Sequence, residues 1–370
     1  MPRVAECTSD EDDCEGDITG IIEADGLALE DLPPRDADEP LLKGVAWRHS
    51  ALTLRAPRPA VVEDEDGDLV VARQPDSASA ADAHPVASCL VGTRFELRRV
   101  TATGLARVGL QLWAGALVLS DLLLARPELV AGKHTCELGA GLGLCSMVAA
   151  RLGAASVLCS DGSLEAVTNC EENLRCNEGC ESVRTAVVSW EDPPQAPALG
   201  STDASVVGAT RTCEVGSGTP RVSSDHAGAL LWGAQVLLAA DVIYDAVAAE
   251  ALVGLVARLL SSNQGNGRAE ALYLALEKRV YFSAATLKPE VAAYPQFLED
   301  CQRHGLSVAP VDLTSVPVHF DYVRSRFYEL VVVTADPQVG LEGQDPGAGG
   351  RSAEERCPEA KRRHVVDTRQ

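Results

Sequence analysis

The residues Glu137-Leu138-Gly139-Ala140-Gly141-Leu142-Gly143 constrain this chain more than any other stretch, because glycines at alternate positions after an acid mark a strand ending in a nucleotide-binding turn. Val130 to Cys136 leads into the motif as a short strand, and Leu144 to Leu152 reads as a buried helix leaving it. Glycine tolerates the dihedrals of such a turn and lets a ligand approach where a Cβ would collide. A second strand, Ala155 to Ser160, closes a unit of about thirty residues. It ends on Asp161, the position from which an acid reaches ribose hydroxyls.

The glycine register chooses between ligands. A dinucleotide fingerprint would carry its third glycine at position 144, where this chain has Leu144; the third glycine stands at Gly143. The pattern Glu-x-Gly-x-Gly-x-Gly resembles that of class I S-adenosylmethionine-dependent methyltransferases. A nicotinamide-dependent oxidoreductase, using NAD(P), is the alternative.

The strand and helix patterns fall between about residues 90 and 335 of the 370, enough for one large α/β domain. Residues 1 to 40 carry fourteen acidic side chains against two arginines, so residues 1–60 are expected to be an acidic, disordered tail. Leu69 to Arg73 and Arg94 to Arg99 are expected to form a small N-terminal β extension over 61–100. The remaining domain, 101–335, reads onward from Asp161 as a helix over Ser163 to Asn177, capped by Ser163, and a strand over Val183 to Ser189. Pro193 to about Gly228 lacks any hydrophobic period and reads as a mobile insertion. Ala234 to Ala240 suits a central strand buried on both faces. Ala271 to Leu276 makes a fifth strand, followed by the charges Glu277-Lys278-Arg279, a helix over Ala292 to His304, and a closing antiparallel pair at Ser307 to Asp312 and Arg326 to Thr334. The expected fold is therefore a Rossmann-like α/β sheet, mostly parallel with an antiparallel C-terminal strand, and residues 336–370 are a second disordered tail.

A formal net charge of -22 opposes non-specific binding to a phosphate backbone and favours a basic partner. The twelve cysteines contain no Cys-x-x-Cys pair, and Cys136, Cys145, Cys159 and Cys170 lie among core residues, so buried thiols rather than metal ligands are expected. Cys176 and Cys180 have no matching His pair. With no leader peptide and no long apolar run, an intracellular protein that does not engage a membrane is expected. Lys361-Arg362-Arg363 reads either as solvated charge or as a nuclear address.

Asp241-Val242-Ile243-Tyr244 follows the central strand, where an open α/β sheet places its ligand crevice. The order Gly109-x-x-x-Trp113, the glycine motif, Asp161, Trp190 and Asp241-x-x-Tyr244 resembles the seven-strand protein-lysine methyltransferases called methyltransferase family 16, over about residues 60 to 335. The resemblance implies S-adenosylmethionine as cofactor. Its site would comprise Glu137, Gly139, Ala140, Gly141 and Gly143 in the turn, Asp161 on the ribose, Trp113 near the methionine end, and Trp190 with Ala240 beside the adenine. Asp241 and Tyr244 would shape the lysine channel as catalytic residues. Ala114 departs from the pattern, since many relatives carry an acid there. The implied substrate is a lysine of another protein, basic and nuclear, met by a monomeric enzyme in the nucleus or cytoplasm. A non-catalytic adaptor retaining the fold is the other alternative. A nucleic-acid or glutamine methyltransferase is disfavoured because Asp241-Val242-Ile243-Tyr244 stands where Asn-Pro-Pro-Tyr would.

Overall fold

A computed structural model of the chain describes residues 22–23, 27, 29–33, 47–63, 68–71, 85–196, 220–262, 269–278, 280–283, 288–291 and 293–336. Three early strands, β1 (Glu30–Leu32), β2 (Trp47–Thr53) and β3 (Arg94–Val100), form an antiparallel sheet in that order. Seven later strands form the central sheet: β4 (His134–Leu138), β5 (Ser156–Asp161), β6 (Val183–Val187), β7 (Val236–Ala240), β8 (Ala271–Glu277), β9 (Leu306–Pro310) and β10 (Tyr328–Ala335). Their order is β6-β5-β4-β7-β8-β10-β9.

Strands β4 to β8 run parallel, and β10 runs antiparallel to both β8 and β9. This reversed strand is the feature expected of the methyltransferase sheet. In β7, Val236, Leu237, Leu238 and Ala239 are each at most 1% exposed, which is why the strand is apolar on both faces. Beside it the strand order changes direction, and the carboxyl ends of β4 and β7 open a crevice at that switch point.

Six helices flank the sheet: α1 (Ala114–Ala125), α2 (Leu144–Arg151), α3 (Leu164–Arg175), α4 (Ser224–Trp232), α5 (Ala246–Ser261) and α6 (Ala293–Arg303). Helices α1 to α3 share one core with Leu52, Leu54, Phe95 and Leu97 of the N-terminal sheet, whereas α4 to α6 pack in a second core. Ser163 caps α3 as expected, accepting the Ala166 amide at 3.3 Å.

Several expectations change. The acidic composition predicts no structure before residue 60, yet β1 and β2 pair, and Leu52, Leu54 and Ala60 are each at most 2% exposed. Strand pairing is a long-range interaction that local composition does not reveal. Leu69–Val71 is a strand, but it pairs with Val61–Glu63 and not with β3. The loop expected to reach Gly228 is interrupted by α4, whose cap Ser223 accepts the His226 amide. Most of that insertion, 197–219, lies outside the described residues, as do Arg279, Lys361-Arg362-Arg363 and nearly all of 336–370. Of the charges after β8, Lys278 is ion-paired, its Nζ 2.5 Å from Glu329 Oε1.

A buried polar knot joins the N-terminal segment to α1. Asp121 on α1 accepts the His319 amide at 2.7 Å, the Tyr322 hydroxyl at 2.6 Å and Arg324 Nη2 at 2.8 Å. Arg324 also donates to the carbonyls of Leu313, Val316 and Pro317. In the same loop, Asp321 pairs with Arg55 and Arg58, and the Arg55 amide donates to the His319 carbonyl at 2.8 Å.

Candidate functional site

A cavity of about 360 Å³ opens beyond the carboxyl ends of β4, β5 and β7, a volume in the range of small-ligand sites. Every residue that the sequence assigned to the cofactor site or the lysine channel lines it, except Gly143.

The turn between β4 and α2 is built by exclusion of side chains. At Gly139 (φ 70°) a Cβ would lie 2.7 Å from Val242 and 3.1 Å from the Trp190 ring. At Gly143 (φ 83°) it would meet Cys170 Sγ at 2.5 Å, so the third glycine serves packing beneath the turn and not ligand contact. Glu137 is buried, and its Oε2 accepts both the amide (2.7 Å) and the hydroxyl (2.5 Å) of Ser146 in the first turn of α2. Burial pushes its carboxyl up to about 7, and the Ser146 bonds oppose the shift. Glu137 therefore braces the turn while forming part of the cavity wall.

Asp161, at the end of β5, accepts the Gly141 amide on Oδ2 at 3.0 Å and the Ser163 amide on Oδ1 at 2.9 Å. Burial raises its carboxyl above the ordinary range, and the two amides moderate the rise. Two amides do not exhaust a carboxylate, which offers about four lone pairs, so both oxygens retain capacity for ribose hydroxyls. Above Asp161 passes the segment Leu105–Leu110, and at Gly109 a Cβ would lie 3.1 Å from Ala166 and 3.6 Å from Asp161.

Trp113 stands at the junction between the segment Leu105–Leu110 and α1. It is the extended N-cap of α1, and its indole N–H donates to the Val108 carbonyl at 2.9 Å. Ala114 opens the helix and does not line the cavity. Trp190 stands opposite, against Gly139, and its buried Nε1 has no hydrogen-bond partner among the described residues. Sequence reasoning missed Gln111, which lines the cavity while donating to Thr103 at 2.6 Å, and gave no role to Glu191. Gln111 carries no motif to flag it; Glu191 is adjacent to Trp190 and could have been taken with it.

Asp241 has φ 55°, the only positive value at a non-glycine among the described residues. Its Oδ2 accepts the Gly115 amide at 2.6 Å and its Oδ1 the Glu277 amide at 2.9 Å, so it clasps the starts of α1 and the end of β8. Tyr244 and Ala240 line the wall on either side of it in sequence. Tyr328 lies nearby, its hydroxyl pushed well above the ordinary range by burial, with Glu277 and Asp241 adding to the shift.

Among the described residues the titratable ones lining the cavity are Glu137, Asp161, Glu191, Asp241 and Tyr244, with no lysine, arginine or histidine. That set favours a cation and disfavours the phosphates of a nicotinamide dinucleotide. S-adenosylmethionine, with a sulfonium and an ammonium, fits this donor set, and the unpaired Trp190 N–H supplies a donor for a ligand acceptor. Among the described residues no three His, Cys, Asp or Glu side chains converge as a metal site, and no helix is long and apolar enough to cross a membrane.

Comparison with known proteins agrees with the geometry. Residues 96–208 match the family described as lysine methyltransferase. The chain is 29% identical over 348 residues to methyltransferase-like protein 22 of Mus musculus, covering 84% of this chain and 83% of that protein. The Homo sapiens protein of the same name is 29% identical over 303 residues, with 74% and 71% covered. Protein-lysine N-methyltransferase EFM3 of Chaetomium thermophilum is 26% identical over 214 residues, with 57% and 51% covered. By these matches the segment 96–208 is similar to the lysine methyltransferase family, and the chain as a whole is similar to methyltransferase-like protein 22.

Proposed function

We propose that this protein transfers the methyl group of S-adenosylmethionine to a lysine side chain of another protein. The observation that carries the reading is a cavity at the switch point whose charged lining residues are all carboxylates, walled by Trp113, Trp190 and Tyr244. The name of the Chaetomium thermophilum relative, a protein-lysine N-methyltransferase, supports the same acceptor.

When bound, the donor supplies an already activated methyl on its sulfonium, so the protein needs to position and desolvate rather than form a covalent bond. Gly139 to Gly141 and Asp161 hold the donor half. Trp113 stands near the methionine end of the donor and Tyr244 walls the acceptor half, where desolvation lowers the pKa of an entering amine, favouring the neutral form whose lone pair can attack. Asp241 fixes the start of α1 beside that channel and orients the amine. The proton leaves to solvent at the mouth.

The acidic balance of the chain, -22 overall, supports a basic acceptor protein. That acceptor is a nuclear protein, met by a monomeric enzyme. Radiolabelled methyl transfer into a cell extract, followed by mass spectrometry of the labelled band, tests it. Label on a lysine, lost with an Asp241 variant, is expected. No affinity for S-adenosylmethionine by calorimetry would instead favour a non-catalytic adaptor.

A further inference from the structure

Helix α3 runs beneath the glycine turn, and the helix and the turn that follows it present three asparagines to strand β3: Asn169 and Asn173 from the helix and Asn177 just beyond its C-cap. Asn177 accepts the Glu96 amide at 3.0 Å and donates to the Glu96 carbonyl at 2.8 Å. Asn173 does the same two residues along the strand: Oδ1 accepts the Arg98 amide at 2.7 Å and Nδ2 donates to the Arg98 carbonyl at 3.4 Å. Asn169 adds a second donor to the Arg98 carbonyl at 2.9 Å. Asn169 and Asn173, four residues apart, share one helix face, and with Asn177 they take the place of a neighbouring strand along one edge of β3.

Asn173 does one thing more. Its Nδ2 also donates to the Leu142 carbonyl at 3.2 Å, inside the glycine turn. The turn is thus gripped from two sides, at the Gly141 amide by Asp161 and at the Leu142 carbonyl by Asn173. The same helix face supports it elsewhere, with Ala166 under Gly109 and Cys170 under Gly143. Asn173 is 1% exposed and does not line the cavity, so any influence on a ligand passes through the turn.

We propose that Asn173 is a positioning residue for the methyl donor, fixing the backbone of the Gly139–Gly143 turn and making its geometry depend on β3 of the N-terminal sheet. The identity of the donor rests on the function proposed above. The N-terminal sheet is then part of the cofactor site and not an appendage to it, because the amide that sets Leu142 is itself oriented by Arg98.

Asn169 supplies the control, since it bonds to the same Arg98 carbonyl and not to Leu142. Calorimetry with S-adenosylmethionine and with S-adenosylhomocysteine is to be run on the full chain and on Asn169→Leu, Asn173→Leu and the milder Asn173→Ser. Freeing a buried carbonyl in the turn is expected to weaken donor Kd about tenfold in both Asn173 variants. Asn169→Leu should lower Tm and leave donor Kd unchanged. In turnover, KM for the donor should rise in the Asn173 variants while kcat at saturating donor and KM for the acceptor protein stay constant. Equal weakening in the Asn169 and Asn173 variants, or unchanged donor Kd in a folded Asn173 variant, would overturn the proposal. If the unaltered chain bound neither compound, the donor assignment would fall, and this proposal with it.

Discussion

Asp241 Oδ2 lies 2.6 Å from the Gly115 amide, so the carboxylate of the Asp-x-x-Tyr motif grips the first turn of α1. The contact is charge-assisted and lies at the positive end of a helix dipole. A Cβ at Gly115 would stand 2.5 Å from that oxygen, which explains a glycine in a helix that otherwise favours alanine and leucine. Because Oδ1 also holds the Glu277 amide, Asp241→Ala leaves two amides without their acceptor. Each costs about 1–3 kcal/mol, and the loosened acceptor channel costs about 100-fold in turnover. Donor affinity by calorimetry should change little. Asp241→Asn keeps one acceptor oxygen and should fall between the two; turnover unchanged in the Ala variant would refute any role for this side chain.

At Gly143 the backbone and the packing forbid a side chain separately. The left-handed φ of 83° costs an alanine about 1–2 kcal/mol, and the Cys170 thiol occupies the Cβ position. Gly143→Ala should therefore lose about 3 kcal/mol of stability in urea unfolding. Adding Cys170→Ala should restore the packing part and leave the dihedral part. A double variant no more stable than the single one would show that the thiol does not matter.

The sheet was legible because its strands carry local signals. The apolar run at Val236–Ala240, the glycines after Glu137 and the acid at Asp161 each place a backbone feature without reference to the rest of the chain. The same signals put the cavity walls in the right order, since the ends of parallel strands must meet at the switch point. Trp47–Thr53 was not legible: only its pairing with β3 and the burial of Leu52 make it a strand. Nor was the role of Gly143, because the thiol beneath it belongs to another helix. The asparagines of α3 were in view at a spacing of four, but polar residues at helical spacing ordinarily mark a solvated face. Their burial follows from the unpaired edge of β3, which is a fact of tertiary structure.

Asp121 carries the knot that fastens the β9–β10 connection to α1. Removing one partner of a buried ion pair leaves the other charge uncompensated, so Asp121→Ala should cost about 3–5 kcal/mol. Chemical unfolding with Arg324→Met alone, and with both changes together, measures the coupling. The double variant should be more stable than Asp121→Ala, because no buried charge is then left alone. Strict additivity of the two losses would argue that the pair does not act as a unit.

Glu137 gives the site a pH dependence whose sign follows from its environment. Its folded carboxyl titrates at about 7, against about 4.3 in an unfolded chain. Between those values the folded state binds more protons than the unfolded one, so this group's contribution to stability is greatest below about pH 4 and declines as pH rises to about 7. The total decline is about 4 kcal/mol. Glu137→Gln keeps an oxygen for the Ser146 amide and hydroxyl and cannot ionise, so its stability relative to the unaltered chain should increase from pH 4.5 to about 7 and level off above it in urea titrations. A difference that stays constant over that range would place the titration elsewhere. A cation in the cavity favours the ionised carboxylate, so donor binding near pH 7 should release a proton, and calorimetry in buffers of different ionisation enthalpy should detect it. The released proton should vanish in Glu137→Gln, which separates this carboxyl from Asp161, buried on the same wall.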